Sequence, residues 1–182
     1  MKKIIIWISV LVLFVIAFFA AFKLYNKLSD KINVDNLSDE QQAEQNTAPD
    51  FTVYDENGNA VKLSDFKGTP VVINFWATWC YYCKEEMPDF DLAYKNYPEV
   101  KFLMINATDG VQETIEKAQK YINDQNFQFD VYFDTEMSAV STYNITGFPT
   151  TIFIDKNGSI VTGASGMLDY DTLEKGIKLI TE

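Results

Sequence analysis

Histidine and arginine are both missing from this chain of 182 residues. Without histidine there is no Cys-His dyad, no imidazole general base and no imidazole metal ligand. Without arginine no guanidinium fork can clamp a carboxylate or phosphate in bidentate fashion, and all 15 cationic side chains are lysines. Cysteine is nearly absent as well: Cys80 and Cys83 are the only two. A structural zinc ion wants four protein ligands, and two thiols with no imidazole cannot supply them within one chain. No metal and no cofactor are therefore expected. Positive charge is scarce too. The net charge of −11 repels phosphates, so nucleic acid is not expected as a partner, and solubility is the simplest role of that charge.

Long apolar runs are confined to one place. Ile4 to Phe22 is apolar except for Ser9 and is about as long as a bilayer core requires. Lys2 and Lys3 precede it, and Lys23, Lys27 and Lys31 follow it. A cleaved signal peptide would have a shorter apolar core and a small-residue A-x-A site, and none follows. A lipoprotein site would need a cysteine just after the run, and there is none. An uncleaved single-pass anchor is expected over residues 1–28. Lysines at both ends encode its orientation only weakly. Residues 29–48 are polar, rich in Asn, Gln and Asp, and read as a flexible tether spanning roughly 25 Å. A domain is expected over 49–182.

Inside that domain the hydrophobic period alternates between strand and helix. Phe51 to Leu63 reads as two short strands around Asn57-Gly58. Thr69 to Ala77 reads as a buried strand, followed by a helix that begins near Cys80 and is kinked by Pro88. Lys101 to Ala107 is a second buried strand. Val111, Ile115, Ala118 and Ile122 are spaced to share one helical face. A short strand over Phe129–Asp134, a helix near Glu136–Tyr143, a hairpin around Asn157-Gly158 and an amphipathic helix from Leu168 to Ile180 complete the chain. Strands alternating with helices, with a hairpin near the end, predict an α/β fold with a mixed central sheet between helices.

Three segments carry a resemblance. VVINFWATWCYYCKEEMP, Val71 to Pro88, resembles the active-site segment of thioredoxin-like proteins. YNITGFPTTIFIDKNGSIV, Tyr143 to Val161, resembles their cis-proline loop and hairpin. FTVYDENGNAVKLSDFKGTP, Phe51 to Pro70, is similar to the opening of the extracytoplasmic TlpA/ResA branch, and the extra helix and strand between Asp109 and Phe133 look like that branch's insertion. The resemblance covers about Ala48 to Glu182 and implies a thioredoxin-like fold. One departure stands out: Tyr81-Tyr82 separates the cysteines where a proline is common, and that dipeptide tunes redox potential. Peroxiredoxins are also similar in the strand before the site. They use T-x-x-C and an arginine, whereas here Ala77 holds the threonine place and arginine is absent.

Disulfide exchange needs an attacking thiolate and a second thiol that resolves the mixed disulfide. A cysteine at a helix start meets backbone N–H groups and the positive end of the helix dipole, which favour thiolate. The resemblance implies that Cys80 is the nucleophile and Cys83 the resolving thiol. It also implies that Pro149 is cis and faces the disulfide, so that Phe148, Pro149 and Thr150 offer backbone to a substrate strand. Pro149 read blandly is only a rigid turn. Glu86 matches a glutamate of the TlpA/ResA branch. A carboxylate there could take the proton of a buried thiol, or be an ordinary acid in a helix's first turns. Asn74 stands where cytoplasmic thioredoxins carry a buried aspartate, so Glu86 is the candidate replacement. Glu85 is expected to face solvent, Trp76 to pack in the core, and Trp79, with Tyr81 and Tyr82, to contact substrate.

Lys84 stands alone among Glu85, Glu86, Asp89 and Asp91. Acidic surroundings weaken thiolate and push the pair towards reductant. The expected function is a thiol-disulfide oxidoreductase of protein substrates, working as a reductase outside the cell membrane and recharged by a transmembrane electron-transfer partner. The alternatives are a disulfide-forming oxidase and, from another class, a tethered binding or scaffold protein with a vestigial disulfide.

Overall fold

Val71, Val72 and Ile73 are β-branched and open the run Val71–Trp76, in which every residue is buried. Such a run suits a strand covered on both faces, and it forms β3 of a seven-stranded sheet. The computed structural model describes residues 46–182 and, before them, Lys23 alone. The expected anchor and most of the tether lie outside the described residues. Among the described residues no helix is long and apolar enough to cross a membrane.

The other strands are β1 (Thr52–Tyr54), β2 (Ala60–Lys62), β4 (Lys101–Asn106), β5 (Val131–Phe133), β6 (Thr150–Ile154) and β7 (Ile160–Ser165). Their order is β2-β1-β5-β4-β3-β6-β7. β3 runs parallel to β4, and β4 parallel to β5. The β1–β2, β1–β5, β3–β6 and β6–β7 pairs are antiparallel. The sheet is therefore mixed, with β4 in the middle and β3 beside it, between β4 and β6. Among the described residues the α-helices are α1 (Tyr81–Asn96), α2 (Ile115–Gln125), α3 (Ser138–Thr142) and α4 (Tyr170–Thr181), and a 3-10 turn spans Leu63–Phe66.

The period-two alternation of strands divides the core. Val72, Trp76, Phe102, Met104 and Phe153 point to one side and pack with Met87 and Phe90 of α1, Ala118 and Ile122 of α2, and Leu173 and Ile177 of α4. Ile73, Phe75, Leu103, Ile105 and Ile152 point to the other and pack with Phe51, Val53 and Ala139 of α3. Gly176 of α4 lies against β6 so closely that a methyl group there would run into the Phe153 ring.

One sequence expectation needs correction. Val111 does not belong to the helical face: it is 85% exposed, and α2 starts only at Ile115, capped by the Thr114 hydroxyl. The reason is Asp109, whose Oδ1 accepts the N–H groups of Val111, Gln112 and Glu113 and folds a turn there instead. α1 carries Pro88 inside one continuous helix. At the start of the domain, Thr47 bridges to Ser159 and the Ala48 N–H donates to the Gly158 carbonyl. The last residues of the expected tether are thus pinned to the β6–β7 turn.

Candidate active site

β3 delivers the chain to a turn closed by the Cys80 N–H donating to the Ala77 carbonyl at 3.1 Å. Cys80 is the N-cap of α1, with extended backbone (φ −81, ψ 111), and its sulfur accepts the Cys83 N–H at 3.1 Å. An N-cap side chain sits where the first helical N–H groups converge, which favours a thiolate on Cys80 once the pair is reduced. In this structure Cys80 and Cys83 form a disulfide, with Cα atoms 5.3 Å apart. Cys80 keeps a sliver of exposure (6%) and Cys83 none. An incoming group meets Cys80 first.

Glu86 lies three residues beyond Cys83 on the buried face of α1, a spacing that brings Cβ atoms to about 5–6 Å. It is 1% exposed. Its Oε1 accepts from Asn74 Nδ2 at 2.8 Å, and its Oε2 accepts the Leu168 N–H at 2.9 Å. Burial pushes its pKa up from 4.5 to about 7. The two donors pull the other way, and Asp89 adds to the rise. Asn74 Nδ2 also donates to Thr151 Oγ1 at 3.1 Å, while Asn74 Oδ1 is buried without a partner.

Opposite α1, the Phe148–Pro149 bond is cis, and Pro149 is buried. The Thr150 hydroxyl donates to the Gly147 carbonyl at 2.9 Å. The Phe148 ring meets Trp79 edge-on, centroids 5.7 Å apart, which brings the proline loop to the cysteine turn. Trp79 is half exposed. Tyr81 and Tyr82 are exposed and meet each other edge-on at 5.4 Å. Trp76 is wholly buried in the same cluster as both cysteines, and Glu85 faces solvent. A separate cavity of about 490 Å³, lined by residues that include Pro49, Leu63, Phe66, Lys67, Val71 and Ile154, lies at the opposite end of β3. None of the cysteine-site residues lines it.

Sequence reasoning missed a strap that ties these parts together. The Gly166 N–H donates to the Pro149 carbonyl at 2.8 Å, and two residues on Leu168 donates to Glu86. Met167 stands between them, half exposed. Both contacts use backbone N–H groups that any non-proline residue has, so no side chain announces them. It also missed Glu113, a wholly buried acid that reaches the cysteine turn from the segment before α2. Among the described residues no cluster of His, Cys, Asp and Glu could hold a metal ion.

The AhpC/TSA family model matches residues 45–162. The chain belongs to this thioredoxin-like family. It is 32% identical to the thiol-disulfide oxidoreductase ResA of Bacillus cereus over 181 residues, covering 100% of this chain and 99% of that protein. It is 31% identical to ResA of Bacillus subtilis over 143 residues, covering 78% of each. Among solved structures it resembles the exposed lipoprotein thioredoxin Etrx1 of Streptococcus pneumoniae, with a TM-score of 0.62, 27% identity, and coverage of 71% of this chain and 98% of that one. The chain is a thiol-disulfide oxidoreductase, and protein thiols and disulfides are the substrates this family implies.

Proposed function

We propose that the chain is a membrane-tethered, extracytoplasmic reductase of protein disulfides. In the working cycle the Cys80 thiolate attacks a substrate disulfide. A Cys80–substrate mixed disulfide forms and one substrate thiolate leaves. Cys83 then loses its proton to Glu86 and attacks the Cys80 sulfur. The Cys80–Cys83 disulfide forms, the second substrate thiolate leaves, and two electrons have passed to the substrate. The observation that carries this reading is Glu86, buried three residues beyond Cys83 with its pKa pushed up to about 7. A carboxyl poised there can take a thiol proton near neutral pH. When ionised, it also raises the pKa of a neighbouring thiol. The reduced pair is then poorly stabilised as thiolate, which is the condition of a reductant.

The recharging donor is a transmembrane electron-transfer partner, because thiols outside the membrane have no assured soluble reductant pool. The apolar run Ile4–Phe22 is the proposed anchor. The test is thiol trapping in intact cells with a membrane-impermeant alkylating reagent, read on the full chain after membrane fractionation. The expected result is membrane-bound protein whose Cys80 and Cys83 are largely reduced and labelled without lysis. A pair found as disulfide at steady state favours the oxidase, and labelling only after lysis places the domain inside.

A further inference from the structure

Glu113 is 0% exposed, yet it belongs to no helix or strand. It sits in the segment between β4 and α2 and spends both carboxylate oxygens on other parts of the chain. Oε1 accepts the Thr78 N–H at 3.0 Å and Asn106 Nδ2 at 2.8 Å. Oε2 accepts the Thr78 hydroxyl at 2.6 Å. Asn106 is held in turn by the Thr108 hydroxyl on its Oδ1 at 2.7 Å. Thr78 is the second residue of the turn that the Cys80 N–H closes on the Ala77 carbonyl. Trp79, half exposed against Phe148, and then Cys80 follow it directly.

We infer that Glu113 is a positioning residue for disulfide exchange: by gripping both the backbone N–H and the hydroxyl of Thr78, it fixes where Trp79 and the Cys80 sulfur stand relative to the Pro149 loop. The grip has its own support. Asp109 Oδ1 accepts the N–H groups of Val111, Gln112 and Glu113 at 2.8, 2.8 and 2.9 Å. The Gly110 N–H donates to the Glu113 carbonyl at 2.9 Å, with Gly110 at φ +73, a region open to glycine. The segment that precedes α2 is thereby wired to the nucleophile, and its buried acid serves the turn rather than the helix. A group whose task is orientation matters most when a large substrate must register on two surfaces at once, and least for a small disulfide that needs only the sulfur. The inference rests on disulfide exchange at Cys80, whichever way electrons run, and the small-disulfide rate reports that exchange independently.

The test uses the full chain, reduced, with two oxidants: a cysteine-bridged peptide long enough to lie along the Pro149 loop, and glutathione disulfide. Glu113→Ala strands the Thr78 N–H and hydroxyl and the Asn106 amide. It should lower kcat/KM for the peptide at least about tenfold while changing the glutathione disulfide rate by less than about twofold. Glu113→Gln keeps every partner: its carbonyl takes the position that receives two N–H groups, and its amide donates to the Thr78 hydroxyl, which can rotate to accept. It should restore the peptide rate to within about twofold of wild type. Equal losses on both oxidants, no loss on either, or a Gln variant as impaired as the Ala variant would overturn the inference. If Glu113→Ala does not fold, Thr78→Ala removes only the hydroxyl contact. It should show the same split between oxidants in smaller measure, and wild-type rates on both would overturn the inference equally.

Discussion

Replacing Glu86 by Gln should make the protein less active, and should raise its stability relative to the wild type progressively as pH rises. The folded chain holds the Glu86 proton more tightly than the unfolded chain, because burial lifts the pKa from 4.5 to about 7. Between those values the folded state is the more protonated, so wild-type stability falls as pH rises. At about 1.4 kcal/mol per pH unit, the full cost above pH 7 is about 3 kcal/mol, of which less than 1 is present at pH 5. Gln carries no such cost, and the site can house it. Its carbonyl can accept the Leu168 N–H, and its amide can donate to Asn74 Oδ1, now buried without a partner, once the Asn74 amide turns over; the turned Nδ2 then lies where Oδ1 lacked a partner, a cost that does not change with pH. The Thr151 hydroxyl, now an acceptor from Asn74, can then donate to that same oxygen. Urea unfolding of the oxidised wild type and Glu86→Gln at pH 5 and pH 8 measures the difference. The variant should gain about 2–3 kcal/mol on the wild type between the two pH values. Comparing the two proteins cancels Asp134, another buried acid with a raised pKa. The resolving step should slow roughly 100-fold at pH 7, within the usual range for loss of a general base. A stability gap that does not change with pH would refute the buried-acid reasoning.

Two other outcomes follow from the geometry. Cys83→Ser should accumulate a mixed disulfide between Cys80 and a peptide substrate, visible by intact mass; capture by Cys80→Ser instead would reverse the two roles. Gly176→Ala should lower stability by about 1–3 kcal/mol in thermal or urea unfolding, because the new methyl group meets the Phe153 ring; an unchanged midpoint would mean that α4 moves away at no cost.

Much of the fold was legible because its signals are local. β3 is an unbroken apolar run. The Asn57-Gly58 and Asn157-Gly158 turns need glycine, at φ +79 and +84, and carry it. The cysteine pair announced itself by its W-C-x-x-C setting after a buried strand, and Glu86 by matching a glutamate of the TlpA/ResA branch. What stayed hidden depends on contacts between distant residues. Glu113 meets Thr78 across 35 positions, and Leu168 meets Glu86 across 82. Val111 was misplaced because helical spacing ignores competition from a side chain, and Asp109 captures the very N–H groups a longer helix would have used. Tyr81 and Tyr82 project into solvent, so the departure they make from the family's usual dipeptide alters the face shown to partners as well as the first turn of α1.

The most direct test of the reductase reading is the reduction potential of the Cys80–Cys83 pair, by equilibration against glutathione with the thiols alkylated and counted. A buried acid beyond Cys83 and acidic neighbours along α1 disfavour thiolate. The predicted potential therefore lies near that of thioredoxin, about −270 mV, and a value above about −160 mV, towards the strong oxidants near −120 mV, would contradict it.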